Sequence, residues 1–156
     1  MKVMVINGPN LNMVGVREKG IYGTKTFSDI CRYIKDEFEK RGHVVTLLQS
    51  NSEGGIIDFL QTAYFENYDG VIINPGAYTH YSYAIHDAIK GNSEIPTVEI
   101  HLSNVHAREE FRHISRTAPA CIGQICGFGE FGYVMALMAL ENYLENKKIN
   151  KIKKPQ

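Results

Sequence analysis

The sequence predicts an α/β domain: a five-stranded parallel sheet with helices on both faces. Three observations lead there. Short runs rich in β-branched residues recur along the chain, stretches with a helical apolar period lie between them, and the two kinds alternate five times. Such alternation implies parallel strands joined by right-handed crossovers, and strands covered on both faces read as continuous apolar runs. For five units of this kind the natural arrangement is the flavodoxin-like three-layer fold, strand order 2-1-3-4-5.

The elements follow in order. Lys2–Ile6 (KVMVI) is the first strand, and Val44–Leu48, Val71–Ile73, Thr97–Ile100 and Cys121–Ile125 supply the other four. Phe27, Ile30, Cys31, Ile34 and Phe38 carry the i, i+3, i+4, i+7 spacing of one buried helix face. Thr26, with Asp29 three residues on, resembles a capping box, and Gly42 supplies the stop. Ile56, Ile57, Leu60 and Tyr64 form a second stripe; Ala84, Ile85, Ala88 and Ile89, ending at Gly91, form a third. A short helix is expected over Ala107–His113 and a long one from about Gly132 to Asn146. Residues 1–146 thus make a single domain. The lysine-rich segment 147–156 has no stable apolar face and is expected to be a frayed or disordered tail.

Bulk properties remove several function classes. Apolar residues make up 44% and charged residues 22% of the 156, ordinary for a globular domain. Seventeen basic side chains balance seventeen acidic ones, so there is no global argument for a nucleic-acid partner. No apolar stretch is long enough for a membrane span, and the opening run is too short for a signal peptide core. Cys31, Cys121 and Cys126 lie in apolar segments and read as buried reduced thiols, which suits a cytoplasmic protein. Neither a C-x-x-C pair nor a Cys/His metal cluster is present, so no metal is expected.

In an open parallel sheet, ligands bind beyond the carboxyl ends of the strands. Here strand one is followed by NGPNLN, strand two by QSNSEG and strand three by NPGAYTH, while strand four runs into HLSN and strand five into GFGEFG. The strand starts carry plainer sequence. All five rich segments therefore converge on one rim, which offers amides (Asn7, Asn10, Asn12, Asn74, Asn104), imidazoles (His80, His101) and the Ser103 hydroxyl, with Arg17, Arg108 and Arg112 just beyond. That set suits a small polyhydroxylated anion, with arginine or backbone N–H for a carboxylate and amides and imidazoles for hydroxyls. Walker-type and dinucleotide-binding glycine loops are missing after the first strand. The long connection from Asn7 to Thr26 contains Arg17, Glu18 and Tyr22 among Gly15, Gly20 and Gly23. Its length is that of a lid or binding loop, and glycines at both ends would let it swing over the rim. Taken alone, that fragment fits a plainer reading at least as well: Tyr22 packed on the surface and Arg17 paired with Glu18 in solvent.

Five segments together carry a resemblance: I-N-G-P-N-L-N at Ile6–Asn12, R-E-x-x-x-Y-G at Arg17–Gly23, Q-S-N-S-E-G at Gln49–Gly54, N-P-G-A-Y-T-H at Asn74–His80 and E-I-H-L-S-N-V-H-A-R-E-E-F-R at Glu99–Arg112. In this order, over about Lys2 to Leu144, the chain resembles the type II 3-dehydroquinate dehydratases of the shikimate and quinate pathways. The resemblance implies a cofactor-free enzyme that converts 3-dehydroquinate to 3-dehydroshikimate by anti elimination through an enol(ate). By motif position Tyr22 would remove the proton α to the ketone, and His101 would protonate the departing C1 hydroxyl. Arg17 would lower the Tyr22 pKa, and Asn10 would hold a water at the enolate oxygen. Asn74, Ser103 and the backbone of Leu102 would bind the carboxylate and a nearby hydroxyl, His80 and Arg112 the remaining hydroxyls, and Asp87 would reach across from a neighbouring subunit. The family also implies a homododecamer built of trimers.

The residue types meet the physical demands of that chemistry. A free tyrosine titrates near pH ~10, so a tyrosine base at pH ~7 needs about 4 kcal/mol of added phenolate stabilisation. A neighbouring cation supplies stabilisation of that order, burial alone acts the other way, and arginine cannot lose its proton to the tyrosine. Hydroxide leaves poorly without a positioned acid. Glu99 lies two residues before His101, on the same side of the strand, where it would orient the ring and favour its protonated form. Departures from the family pattern cluster at His86, Tyr81 and Tyr83 and bear on the subunit interface more than on the chemistry. Two other classes stay open on the residues alone. One is a non-catalytic flavodoxin-like module that binds a small anion; the other, a phosphate-handling hydrolase, lacks both a phosphate loop and a metal-carboxylate set.

Overall fold

A computed structural model of the chain describes residues 1–16 and 24–152. Five parallel strands, β1 (Lys2–Asn7), β2 (Val44–Gln49), β3 (Gly70–Asn74), β4 (Thr97–His101) and β5 (Gly123–Cys126), form one sheet in the order β2-β1-β3-β4-β5. This is the order the sequence predicts. Each strand ends one residue later than its apolar run does, at Asn7, Gln49, Asn74, His101 and Cys126. The ladder is made by backbone groups and continues past the last apolar side chain. The first residue of each of the first four rim segments is therefore still held in the sheet: Asn7 pairs with both Gln49 and Asn74, and His101 with Cys126, the last residue before the fifth. At its other end β5 begins at Gly123 and not at Cys121, because Pro119 and its neighbours form a 3-10 turn, Ala118–Ala120.

Side chains alternate across the sheet and build two cores. Val3, Val5, Ile72, Val98 and Ile100 pack against α1 (Phe27–Lys40) and α4 (Phe131–Ile152), where Ile34, Phe38, Tyr133 and Leu137 are almost wholly buried. Met4, Ile6, Val71 and Ile73 pack against α2 (Glu53–Phe65) and α3 (Tyr83–Gly91) through Ile56, Leu60, Ile85 and Ile89. Each such buried side chain contributes about 1.5–3 kcal/mol.

Helix α1 starts on a complete capping box. The Thr26 hydroxyl accepts from Asp29 N–H (3.2 Å), and the Asp29 carboxylate accepts from Thr26 N–H (3.0 Å). It ends in a Schellman motif: Gly42, at φ 77°, donates to Glu39 O (2.9 Å) and His43 to Phe38 O (3.0 Å). The His43 ring turns inward, Nδ1 meeting the Met1 amine (3.1 Å) and Nε2 the Glu141 carboxylate (2.6 Å).

Four expectations are corrected. Tyr64 is 46% exposed; the buried stripe of α2 runs Ile56, Leu60, Ala63, and Tyr64 flanks it edge-on to Phe65. Ala107–His113 is not an α-helix but two 3-10 turns, Val105–Ala107 and Glu110–His113, because Arg108 between them is extended (φ −111°, ψ −163°). The long helix does not stop at Asn146 but runs to Ile152. The three cysteines are free but only half-buried.

Candidate active site

A cavity of about 250 Å³ opens at the carboxyl ends of β1, β3 and β4, with Asn10, Asn74, His80, His101, Ser103 and Arg112 among its walls and Leu11, Met13 and Val14 as an apolar side. A larger groove, about 660 Å³, lies between β5 and α4, with Ile122, Ala139, Tyr143 and Lys147 in its walls, and it contains none of the polar residues that follow the strands. The chemistry points to the smaller one.

The loop after β1 is tied to the loop after β2. Asn10 sits in the left-handed region (φ 67°), a conformation asparagine tolerates, and donates its backbone N–H to the Asn51 side chain (3.0 Å). Asn51 also accepts from Gln49 Nε2 (3.0 Å), which reaches Gly8 O (3.2 Å), and the Tyr78 hydroxyl donates to Asn51 O (2.9 Å). Asn74, the buried last residue of β3, accepts the Gly76 N–H on its side-chain oxygen (3.2 Å) and the Gly8 N–H on its backbone oxygen (2.7 Å).

At the end of β4, His101 Nε2 meets Glu99 Oε1 at 2.7 Å, and Glu99 is 0% exposed. Burial pushes the Glu99 carboxyl upward, but His101 and the hydroxyls of Thr117 and Thr79 outweigh it and hold the group below its ordinary range. With Nε2 turned to Glu99, Nδ1 is the nitrogen left for the cavity that His101 lines. His101 O and Leu102 O accept from Gly127 (3.1 Å) and Gly129 (2.9 Å), which ties the rim of β4 to the segment after β5.

His80 Nδ1 donates to Ile114 O (2.9 Å), and its ring meets Phe111 edge-on. Burial lowers the His80 pKa, and the charges of His101 and Arg112 lower it further. A neutral ring with Nδ1–H committed leaves Nε2 as an acceptor. Arg112 is anchored through Nε on Glu109 (2.7 Å), and Arg108 reaches Ser103 Oγ (3.3 Å).

The predicted site residues thus divide. Asn10, Asn74, His80, His101, Leu102, Ser103 and Arg112 line one cavity, and Glu99 stands directly behind His101. Asp87 is exposed on α3 and does not line the cavity of its own chain. Tyr22 and Arg17, and with them the expectation of a swinging loop, lie outside the described residues. The residues on either side of that segment do meet. Phe27 N–H donates to Val14 O (3.2 Å), a side chain on Gly15 would lie 2.6 Å from Lys25 O, and Lys25 is ion-paired with Glu130. Arg108, placed by the sequence just beyond the rim and given no role by the resemblance, lines the cavity; its place in the H-A-R-E-E-F-R motif was the available signal. Asn51 was legible only as part of the Q-S-N-S-E-G segment, and Ser115, Thr117 and Gln124 were missed altogether.

Among the described residues no group of three or more His, Cys, Asp or Glu is placed to hold a metal ion, and no helix is long and apolar enough to cross a membrane.

Comparison with known proteins gives a consistent picture. The sequence profile of the family described as dehydroquinase class II matches residues 1–141. The 3-dehydroquinate dehydratase of Clostridium beijerinckii is 78% identical over 141 residues, which cover 90% of this chain and 96% of that protein. The type II dehydroquinase of Butyrivibrio crossotus superposes with a TM-score of 0.89 at 54% identity, over 90% of this chain and 97% of the other. That of Propionibacterium acnes gives 0.83 at 38%, over 89% and 94%.

Proposed function

The chain belongs to the class II dehydroquinase family, and from that premise we propose that it is a 3-dehydroquinate dehydratase, a hydro-lyase acting in the shikimate pathway or in quinate catabolism. The observation that carries the reading is the buried Glu99–His101 pair behind a cavity lined by amides, imidazole and guanidinium.

In the proposed reaction Tyr22, as phenolate, takes the proton α to the ketone, and the electron pair moves into an enol(ate). Asn10 holds the water that stabilises the enolate oxygen. The C1–O bond then breaks, and His101 Nδ1–H delivers its proton to the departing hydroxyl, so that water leaves and 3-dehydroshikimate remains. A positioned acid contributes about 10²–10⁴-fold. The neutral imidazole left behind keeps Nε2–H on Glu99, which holds its tautomer for the next cycle. Arg17 supplies the positive charge that makes a phenolate accessible near neutral pH. Asn74, Ser103 and Leu102 N–H bind the carboxylate and its adjacent hydroxyl, while His80, accepting on Nε2, and Arg112 bind the remaining hydroxyls. No cofactor or metal takes part in this scheme.

We further propose assembly into a homododecamer of trimers in the cytoplasm, with Asp87 entering a neighbour's site. Exposed Tyr81, Tyr83, Phe111 and Ile114 beside the cavity support an interface there. A non-catalytic anion-binding module has no use for a buried carboxylate–imidazole pair.

The test is direct. Adding 3-dehydroquinate to the purified chain is expected to produce the enone absorbance of 3-dehydroshikimate, with chelator or without. Folded protein that gives no turnover under both conditions overturns the reading.

A further inference from the structure

We propose that Ser115 and Thr117, with Thr79 and Gln124, are positioning residues for His101: they hold Glu99 as an oriented carboxylate that fixes the plane and tautomer of the imidazole. This rests on the reading of His101 as the acid and extends it to residues outside the cavity wall.

The Glu99 carboxylate is ringed by donors from four parts of the chain. Thr79, in the turn after β3, reaches Oε1 at 2.7 Å, and Gln124 Nε2, on β5, reaches the same oxygen at 2.8 Å. Ser115 lies 3.0 Å from Oε1 and 3.2 Å from Oε2, and Thr117 lies 2.5 Å from Oε2. His101 Nε2 completes the ring. An ionised carboxylate accepts about four hydrogen bonds and donates none. The direction of the Ser115 hydroxyl is not free. Its oxygen already accepts the backbone N–H groups of Thr117 (3.2 Å) and Ala118 (2.8 Å), so its proton points away from them, to the side where Glu99 Oε1 (3.0 Å) and the Thr79 hydroxyl (2.8 Å) lie; of these the carboxylate is the stronger acceptor. Surrounded in this way, Glu99 has little use for a proton and every reason to keep its charge.

Ser115 and Thr117 belong to one strap, Ile114–Ala118, that also touches the opposite wall of the cavity. Ile114 O fixes His80 Nδ1, and Arg116 N–H donates to Thr79 O (2.6 Å). The same five residues therefore set the angle of the acid, through Glu99, and of the hydroxyl-binding His80, through a carbonyl. The other ionisable groups facing the pair among the described residues are His80 with Arg112 beyond it, Cys121 and Cys126. Burial pushes both thiols upward, Cys126 to about 11, so neither adds charge near neutral pH.

The test uses the full-length protein and 3-dehydroquinate. Thr117→Val keeps the volume and deletes the donor to Oε2. It is expected to lower kcat about tenfold, the scale of one hydrogen bond to a charged group, with KM within about twofold of the parent. The acid limb of the kcat–pH profile should move to higher pH, because Glu99 then takes a proton more readily. Thr117→Ser should return both toward the parent. Gln124→Met, on an exposed strand position, should shift both in the same direction by less, and it carries the test should Thr117→Val fail to fold. Unchanged kcat and acid limb in the folded variants, or a Thr117→Ser enzyme as impaired as Thr117→Val, overturns the proposal. One readout needs no turnover: solvent exchange of the His101 Nε2 proton, followed by NMR, should quicken about tenfold in Thr117→Val for the same reason. Unchanged exchange overturns the cage whatever the activity. Faster exchange in Thr117→Val beside a parent that turns nothing over supports the cage and overturns only the dehydratase reading.

Discussion

The two flanks of the cavity are built on opposite plans. On the β3–β4 side the polar groups are buried and multiply bonded: Asn74 is 3% exposed, His101 7%, and Glu99 is enclosed by hydroxyls. On the β1–β2 side the side-chain amides of Asn12, Gln49 and Asn51 and the backbone N–H of Asn10 meet in an exposed network. The difference follows from what each flank has to hold. A charge that must stay at one place and angle benefits from low dielectric and fixed donors, whereas amides that present water or hydroxyl lose little by exchanging partners with solvent.

Substitutions that break this contrast should rank accordingly. The largest losses are expected where a proton moves. His101→Asn and Tyr22→Phe should each lower kcat by about 10²–10⁴-fold, and Arg17→Ala should take away most of the activity by the same route as the tyrosine, with steady-state rates on 3-dehydroquinate as the measure. Near-parent turnover in Tyr22→Phe would remove it as the base.

Next comes Glu99→Gln, which opens the buried flank. Leaving His101 without its partner should cost about 3 kcal/mol of stability in urea unfolding, together with most of kcat. The pH dependence has a definite sign. Glu99 is held below its ordinary 4.5, so the native chain binds that proton more weakly than the unfolded chain does. Its contribution is complete above the unfolded value, fades as pH falls through the lower folded one, and should be missing from the acid limb of stability in Glu99→Gln. An unaltered acid limb would mean that other carboxylates dominate it.

On the exposed flank Asn51→Ala should be milder. Asn10 loses one backbone partner, and kcat/KM should fall by roughly 2- to 10-fold with little change in stability, the range of a single hydrogen bond. A hundredfold loss would mean that this flank is as rigid as the other. The smallest effect on function belongs to a control outside both flanks. Thr26→Ala removes the cap of α1 and should cost about 1 kcal/mol in unfolding while leaving kcat unchanged.

Most of this architecture is legible in the chain because it depends on local signals: apolar runs for strands, Thr26, Asp29 and Gly42 for the limits of α1, and polar clusters at one end of each strand. The misreadings occur where tertiary contacts decide. The apolar runs stop a residue short of each strand end because the backbone ladder does not depend on side-chain hydrophobicity. The expected helix over Ala107–His113 is broken by the extended Arg108, a residue that lines the cavity. Ser115 and Thr117 sit in the unremarkable stretch H-I-S-R-T-A-P, and nothing within it announces a carboxylate brought in from β4. Glu99 itself was legible through its two-residue offset from His101, a period that geometry alone interprets.

The contact between Val14 and Phe27, reinforced at Gly15 and Lys25, bears on how freely this chain can vary. A segment whose two ends are already joined by the fold adds only a slowly growing loop-closure entropy when it is lengthened, about 0.6 kcal/mol for each doubling. Lengthening the connection between Gly15 and Lys25 is therefore expected to add only that small closure term to the cost of forming the sheet and its two cores. In the proposed scheme the base belongs to that connection and the acid to β4, so the length of the first can be varied while the strand that carries the second stays as it is.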